Sequence, residues 1–247
     1  METTINSSAV MEKEEGFSSL SFMIEKEILL SGLKIVERAT AQKGLHAVLA
    51  NILIEAVDNN KINLYATDFD LTIITSIEAQ VSNNGAITLP AKKLLDIVSR
   101  LSDGIISFEL NNEIMTVKSG KSKFEINGIS ASEFPKIELL SEEDTEVEID
   151  LKPFVSGIKE AGFAAASFEA NNNLLSGVVC EINKNVLELA STDGNRLARV
   201  REKITSDITE QTQLIIPSRT LNELLKMSSF IDEDSVKICK DKSTIIF

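Results

Sequence analysis

Apolar and polar positions alternate with a period of two over several short stretches of this chain, each broken by a cluster of Asn, Asp, Gly or Pro. Phe22 to Ile24, Val48 to Val57, Lys61 to Thr67, Leu71 to Ile77, Ile105 to Leu110, Met115 to Val117 and Lys121 to Ile126 read as strands. Asp58-Asn-Asn60, Asn83-Asn-Gly85 and Asn111-Asn112 read as the turns among them. A helical period runs from about Glu27 to Gln42, with Leu29, Leu33 and Val36 on one face and Lys34 and Arg38 on another. It returns where Pro90 opens a second helix to Leu101. There Leu94, Ile97, Val98 and Leu101 form the apolar stripe, and Lys93, Asp96 and Arg100 lie opposite. Phe134-Pro135 closes this first unit.

The same order then recurs. Lys152 to Ala166 reads as a helix, Leu174 to Ile182 and Val186 to Ser191 as strands about Asn183-Lys-Asn185, and Gln213 to Ile216 as a strand. Pro217 opens a helix with Leu221, Leu224 and Leu225 inward and Arg219, Glu223 and Lys226 outward; Ser235 to Lys240 and Thr244 to Phe247 read as a hairpin. Identities support the recurrence. Leu189-Ala-Ser-Thr-Asp-Gly-Asn-Arg-Leu-Ala198 has a degenerate copy in Leu64-Tyr-Ala-Thr-Asp-Phe-Asp-Leu-Thr72, which places Thr67 with Thr192 and Asp68 with Asp193 at an offset of 125 residues. The same offset lays Ser31-Gly-Leu-Lys34 on Ser156-Gly-Ile-Lys159, and an offset of 127 lays Leu89-Pro-Ala-Lys-Lys-Leu-Leu-Asp96 on Ile216-Pro-Ser-Arg-Thr-Leu-Asn-Glu223. The chain is a duplication of an α+β unit, each copy an antiparallel sheet with two helices on one face.

Composition narrows the chemistry. A chain of 247 residues with 43% hydrophobic and 26% charged residues suits a globular protein of one or two domains. It has no apolar run of the roughly 20 residues a membrane span needs, and no basic n-region followed by an apolar one at its N-terminus, so a cytoplasmic protein with no membrane partner is expected. Cys180 and Cys239 read as reduced thiols. One histidine, His46, makes histidine metal sites and histidine-dependent triads improbable, and the glycine-rich nucleotide loops are missing. Asp68 and Asp70 alternate along a strand as cation ligands would, but the second copy has Asn195 in place of Asp70. Asp68 and Asp193 are better explained as turn formers, so no metal and no cofactor is expected.

The net charge of −13 argues against nucleic acid until its distribution is considered, because residues 1–20 and 136–150 supply −9 of it. The four inferred helices sum to +4, and Lys92 with Asp96 falls on Arg219 with Glu223 through the repeat. That suits either ordinary solvated helix faces or a sparse basic surface for sequence-independent phosphate contact. With no tryptophan and one tyrosine, a stacking platform for single strands is disfavoured.

Taken together, Tyr65-Ala-Thr-Asp-Phe-Asp-Leu-Thr72, Leu89-Pro-Ala-Lys-Lys-Leu-Leu-Asp-Ile-Val98, Ser119-Gly-Lys-Ser-Lys-Phe124, Phe134-Pro135 and Ser191-Thr-Asp-Gly-Asn-Arg-Leu-Ala198 resemble the bacterial replicative sliding clamp, the beta subunit of DNA polymerase III. The likeness runs in order from about Phe22 to Phe247. It implies a non-catalytic processivity factor: a head-to-tail homodimeric ring of three similar domains per protomer, sheets outside and helices around duplex DNA. Its partners would be the polymerase catalytic subunit, the clamp loader and other proteins bearing a clamp-binding motif.

On matching positions the resemblance implies DNA contacts from Lys43, Lys92, Lys93, Arg100, Arg219 and Lys226, with Ser218 standing where relatives often carry a base. It implies a peptide-docking wall made by Leu175, Thr192, Gly194, Asn195, Arg196 and Leu197, with Asn195 replacing a frequent histidine. Without the family, Leu175 and Leu197 would read as plain core.

The expected organisation is an N-terminal extension over 1–20, a first clamp domain over 21–140, an acidic linker over 141–148 and a second, C-terminally incomplete clamp domain over 149–247. A third domain is absent from this chain, so these 247 residues are expected not to close a ring. Two rival classes are a small-molecule enzyme, for which no paired acids and bases are visible, and a duplicated protein-binding scaffold that does not encircle DNA.

Overall fold

Strand, helix and turn follow one another here because the apolar period switches repeatedly between two and 3.6 residues, and each switch falls at a residue suited to the change of backbone. The computed structural model describes residues 19–41, 46–58, 60–137, 145–167, 175–205, 211–230, 233–241 and 244–247. The chain forms two units, Met1–Pro135 and Lys136–Phe247.

Among the described residues the first unit holds ten strands: β1 (Ser21–Glu25), β2 (Asn51–Ala56), β3 (Lys61–Thr67), β4 (Thr72–Glu78), β5 (Gln80–Asn83), β6 (Gly85–Pro90), β7 (Ile105–Asn111), β8 (Ile114–Ser119), β9 (Ser122–Asn127) and β10 (Ile129–Ser130). Helix α1 (Lys26–Val36) follows β1, and α2 (Ala91–Arg100) follows β6. Two antiparallel sheets result, ordered β5-β1-β7-β8-β9 and β10-β6-β2-β3-β4. Helix α1 packs on β3 and β4 and touches α2. It buries Leu29, Gly32, Leu33 and Val36. Across the other sheet, Phe22 and Phe108 stack with ring centroids 4.6 Å apart.

The second unit repeats this plan with β11 (Thr145–Asp150), α3 (Leu151–Ala161), β12 (Gly177–Asn183), β13 (Val186–Thr192), β14 (Leu197–Lys203), β15 (Thr212–Pro217), α4 (Ser218–Met227), β16 (Ser235–Lys240) and β17 (Ile245–Ile246). Its larger sheet runs β14-β13-β12-β15, the order of β4-β3-β2-β6 in the first unit. The other sheet is β11-β16-β17. The 125-residue offset relates α1 to α3, β3 to β13 and β4 to β14 end to end, and 127 residues relate β6 with α2 to β15 with α4.

Even the junctions recur: the Lys26 N–H donates to the Gly104 carbonyl at 3.0 Å, and the Leu151 N–H to the Asp234 carbonyl at 2.8 Å. The shared Ser-Gly-apolar-Lys motif has a packing reason. A Cβ on Gly32 would stand 3.1 Å from Leu64 Cδ1, and one on Gly157 would stand 2.5 Å from Leu189 Cδ1, the repeat equivalent of Leu64. The helix approaches the sheet closely at that position in both copies.

Several elements differ from the sequence reading. The first helix ends earlier than Gln42: α1 passes into a 3-10 turn over Glu37–Ala39, and Thr40 is extended at ψ 142°. The third does likewise, with a 3-10 turn at Gly162–Ala164 before an extended Ala165. Both breaks return the chain to the sheet, the Ala41 N–H donating to Leu49 and the Ala166 N–H to Leu175. The strand expected from Val48 starts at Asn51, because Ala47–Ala50 makes a 3-10 turn that buries Val48 and Leu49. The strand expected from Leu174 starts at Gly177; Leu174 itself lies outside the described residues.

The acidic stretch is not simply a connection. Thr145–Asp150 pairs with β16 along six residues, burying Val147 and Ile149 and leaving Glu148 outside. Alternating acids had disguised an amphipathic strand as a charged linker. Residues 141–144 of that stretch lie outside the described residues. β14 was missed for the same reason: its charges at Arg199, Arg201 and Lys203 occupy one face of an edge strand.

Candidate nucleic-acid and peptide-docking surfaces

Two kinds of surface result from this scaffold. The first lies on α2 and α4, which begin directly after the prolines that end β6 and β15. Pro90 and Pro217 hold φ near −55°, with values of −56° and −54°, so the strand-to-helix change falls at the same point in both copies. Packing of Ala91, Leu94 and Val98 inward turns Lys92, Lys93, Asp96 and Arg100 outward. Lys92 and Lys93 are exposed and carry no ion pair among the described residues. Arg100 is held by Asp96 one turn back at 2.8 Å, in a pair exposed on both sides. On α4, Leu221 and Leu224 are buried, Arg219 is half-buried, and Lys226 pairs with Glu223 at 2.6 Å. A shallow depression along this helix is lined by Arg219 and Lys226 together with Glu223, Leu225, Asn222, Ser218 and Ser167. Lys43 lies outside the described residues.

The second surface is the turn between β13 and β14. Asp193 Oδ1 accepts from the Asn195 and Arg196 N–H groups, both at 2.9 Å, and Thr192 Oγ1 accepts from the Gly194 N–H at 3.1 Å. These bonds hold the Asp193 carboxyl below the usual carboxylate range. Gly194 sits at φ 92°, where a side chain would be strained.

The first unit builds the same turn. Asp68 Oδ1 accepts from Asp70 and Leu71, Thr67 Oγ1 accepts from Phe69, and Phe69 takes the left-handed position at φ 77°. Both aspartates are therefore occupied with backbone amides, which accounts for them without a cation. No cluster of three metal-ligating side chains occurs among the described residues.

The turn brings most of the expected docking residues together. Thr192, Gly194, Asn195, Arg196 and Leu197 are contiguous, and Leu197 is 71% exposed. Leu175 is half-buried and is tied to the end of the α3 segment through its carbonyl. Leu197 is thus a surface side chain rather than core. The sequence reading missed Phe163, which is 62% exposed and lies under the Arg196 guanidinium at 5.6 Å from its ring centroid. Its signal was one aromatic residue among small ones in Gly162-Phe-Ala-Ala-Ala-Ser167.

Comparison with known proteins bears on both surfaces. Residues 20–138 match the family model of the DNA polymerase III beta subunit N-terminal domain, and residues 148–247 that of its central domain. The beta sliding clamp of Synechococcus elongatus is 34% identical over 223 residues, covering 89% of this chain and 59% of that protein. That of Synechocystis is 35% identical over 239 residues, covering 89% and 61%. The DNA polymerase III beta subunit structure from Pseudomonas aeruginosa superposes with a TM-score of 0.82 at 27% identity, covering 91% of this chain and 61% of that one. The one from Thermotoga maritima gives 0.80 at 25%, covering 90% and 60%. The chain therefore spans about three-fifths of the length of these relatives.

Proposed function

This chain belongs to the family of DNA polymerase III beta subunits, the bacterial sliding clamps, and from that premise we propose that it serves as part of a non-catalytic processivity factor. In this reading the assembled protein is a homodimeric ring around duplex DNA that tethers the replicative polymerase. The clamp loader and other motif-bearing proteins would share its docking wall. The observation that carries the reading is the repeated strand-proline-helix junction, which presents a basic residue at the second position of α2 and α4, Lys92 and Arg219.

Lys92, Lys93, Arg100, Arg219, Lys226 and Lys43 would attract phosphates without reading sequence. Because a ring holds DNA by topology, each contact can stay weak enough to slide. Arg100 and Lys226 share their charge with helix carboxylates, so Lys92 and Lys93 are the strongest candidates. Leu175, Thr192, Gly194, Asn195, Arg196 and Leu197 would form one wall for an extended partner peptide.

Charge reversal tests this. In the full-length clamp that contains these units, Lys92→Glu, Lys93→Glu and Arg219→Glu together are expected to lower retention on nicked circular duplex several-fold. The salt dependence of binding should become shallower by about one power of salt per lost phosphate contact. Unchanged retention with intact partner binding would favour a protein-binding scaffold.

A further inference from the structure

The repeat keeps an acid among the cations of both α2 and α4. In α2, Asp96 lies four residues after Lys92 and four before Arg100; in α4, Glu223 lies four after Arg219 and three before Lys226. The 127-residue offset lays one acid on the other. At 1.5 Å of rise per residue, each stands about 6 Å along the helix from the cation before it. Each binds the cation that follows it. Arg100 Nη2 donates to Asp96 Oδ1 at 2.8 Å, and Lys226 Nζ to Glu223 Oε1 at 2.6 Å. The other two helices differ. Lys34 on α1 and Lys159 on α3, matched at an offset of 125, are exposed and carry no ion pair among the described residues. Helix stability gives Asp96 little reason to be there. It occupies the interior of a ten-residue helix, where Asp is among the weaker formers. Its pair with Arg100 is 59% and 78% exposed, and a pair so exposed contributes little.

We propose that Asp96 and Glu223 are positioning residues that limit the grip on DNA: each draws one cation of its helix away from phosphate, so that the duplex meets fewer full charges and slides more freely. The proposal rests on the DNA-contact reading above and adds to it two acids whose role is to weaken. An exposed ion pair and an exposed phosphate contact are close in energy, because both are screened by the same water and salt. Arg100 and Lys226 therefore exchange between carboxylate and phosphate with no deep minimum at either, and binding varies little as successive phosphates pass. An unpaired guanidinium at position 100 would instead hold a phosphate with a bidentate fork.

The test titrates the purified 247-residue chain against a short labelled duplex by fluorescence anisotropy over a series of low salt concentrations, so that contact is read without a ring. Asp96→Asn and Glu223→Gln keep the shape and remove the charge. The double variant is expected to bind several-fold more tightly, with a salt dependence steeper by about two powers, one for each cation released. Adding Arg100→Gln and Lys226→Gln should cancel the gain. Asp96→Ala with Glu223→Ala, which favours the helix, is a second neutral pair and should behave like the first. Glu109→Gln removes an acid paired with Lys118 between strands β7 and β8 and should leave binding unchanged. Should the neutral pairs bind like the wild type while Lys92→Glu with Arg219→Glu weakens binding, this proposal alone is overturned. An equal gain from Glu109→Gln overturns it too, since any lost acid would then serve. If no protein binds, or the charge reversals change nothing, the DNA-contact reading is refuted and the proposal falls with it.

Discussion

Individual carboxyl and phenol groups report the local geometry most directly. Glu188 on β13 accepts from Arg199 first and Arg201 second, both on β14, which hold its carboxyl at about 2. Because the folded value lies below the ordinary one, its stabilising contribution is complete above the unfolded pKa of about 4.5 and is lost as pH falls toward 2. Carboxyl-carbon NMR should show Glu188 titrating near the bottom of that window, and Arg199→Gln should move it upward. Tyr65 is the chain's one tyrosine, and burial together with its 2.8 Å bond to Glu55 pushes its phenol up to about 12. The phenol is neutral in the fold where the unfolded chain would already ionise, so stability falls as pH rises from about 10 to 12. Absorbance at 295 nm should reveal phenolate only above the usual range, and Glu55→Gln should bring the transition down. At the turn, Asp193→Ala removes the acceptor for two amides and is expected to lower the urea midpoint, with Asp193→Asn lowering it less.

At the scale of elements, the helix–sheet contact sets how much each copy tolerates. Replacing a helical glycine by alanine gains about 1 kcal/mol of helix propensity, so the sign depends on the room available. At Gly32 the nearest atoms would be 3.1 to 3.2 Å from the new Cβ, and Gly32→Ala is expected to be close to neutral. At Gly157 the Leu189 Cδ1 atom would stand at 2.5 Å, and Leu189 is fully buried in the core that includes Ile158, Val178 and Ile216. Gly157→Ala should therefore destabilise by about 1–2 kcal/mol, a difference that paired urea titrations of the two variants would register. The elements most legible from sequence were those whose apolar period ran unbroken, such as β3, found over Lys61–Thr67 as expected. Those misread were β11 and β14, where charge on the solvent face of a strand resembled a linker or an exit loop. That Thr192, Gly194, Asn195, Arg196 and Leu197 share one surface was legible because one turn carries them. Phe163 was not, since it lies about 30 residues away in sequence and reaches Arg196 only through packing of the α3 segment against β13 and β14.

For the whole molecule, duplication means two compact units, the second with its own core around Leu189. Leu189→Ala should cost about 2–5 kcal/mol and lower hydrogen-exchange protection across 145–247 while leaving 19–137 near its original level. The cysteines divide similarly. Cys180 is wholly buried, and burial pushes its thiol up to about 12, whereas Cys239 is half-buried. A thiol reagent should modify Cys239 slowly in the native protein and Cys180 only after unfolding. Among the described residues no helix is long and apolar enough to cross a membrane.

The sequence by itself determined the duplication, the α+β class, the turn aspartates and the basic second position of two helices. Each of these depends on short-range periodicity or on identity carried at a fixed offset. Tertiary structure alone decided that Leu197 is exposed rather than core, that an acidic stretch closes a sheet, that Arg100 and Lys226 are partly neutralised, and that an aromatic ring braces Arg196. Those outcomes depend on which surfaces meet, and distance through space between residues far apart in a chain is not encoded in local pattern.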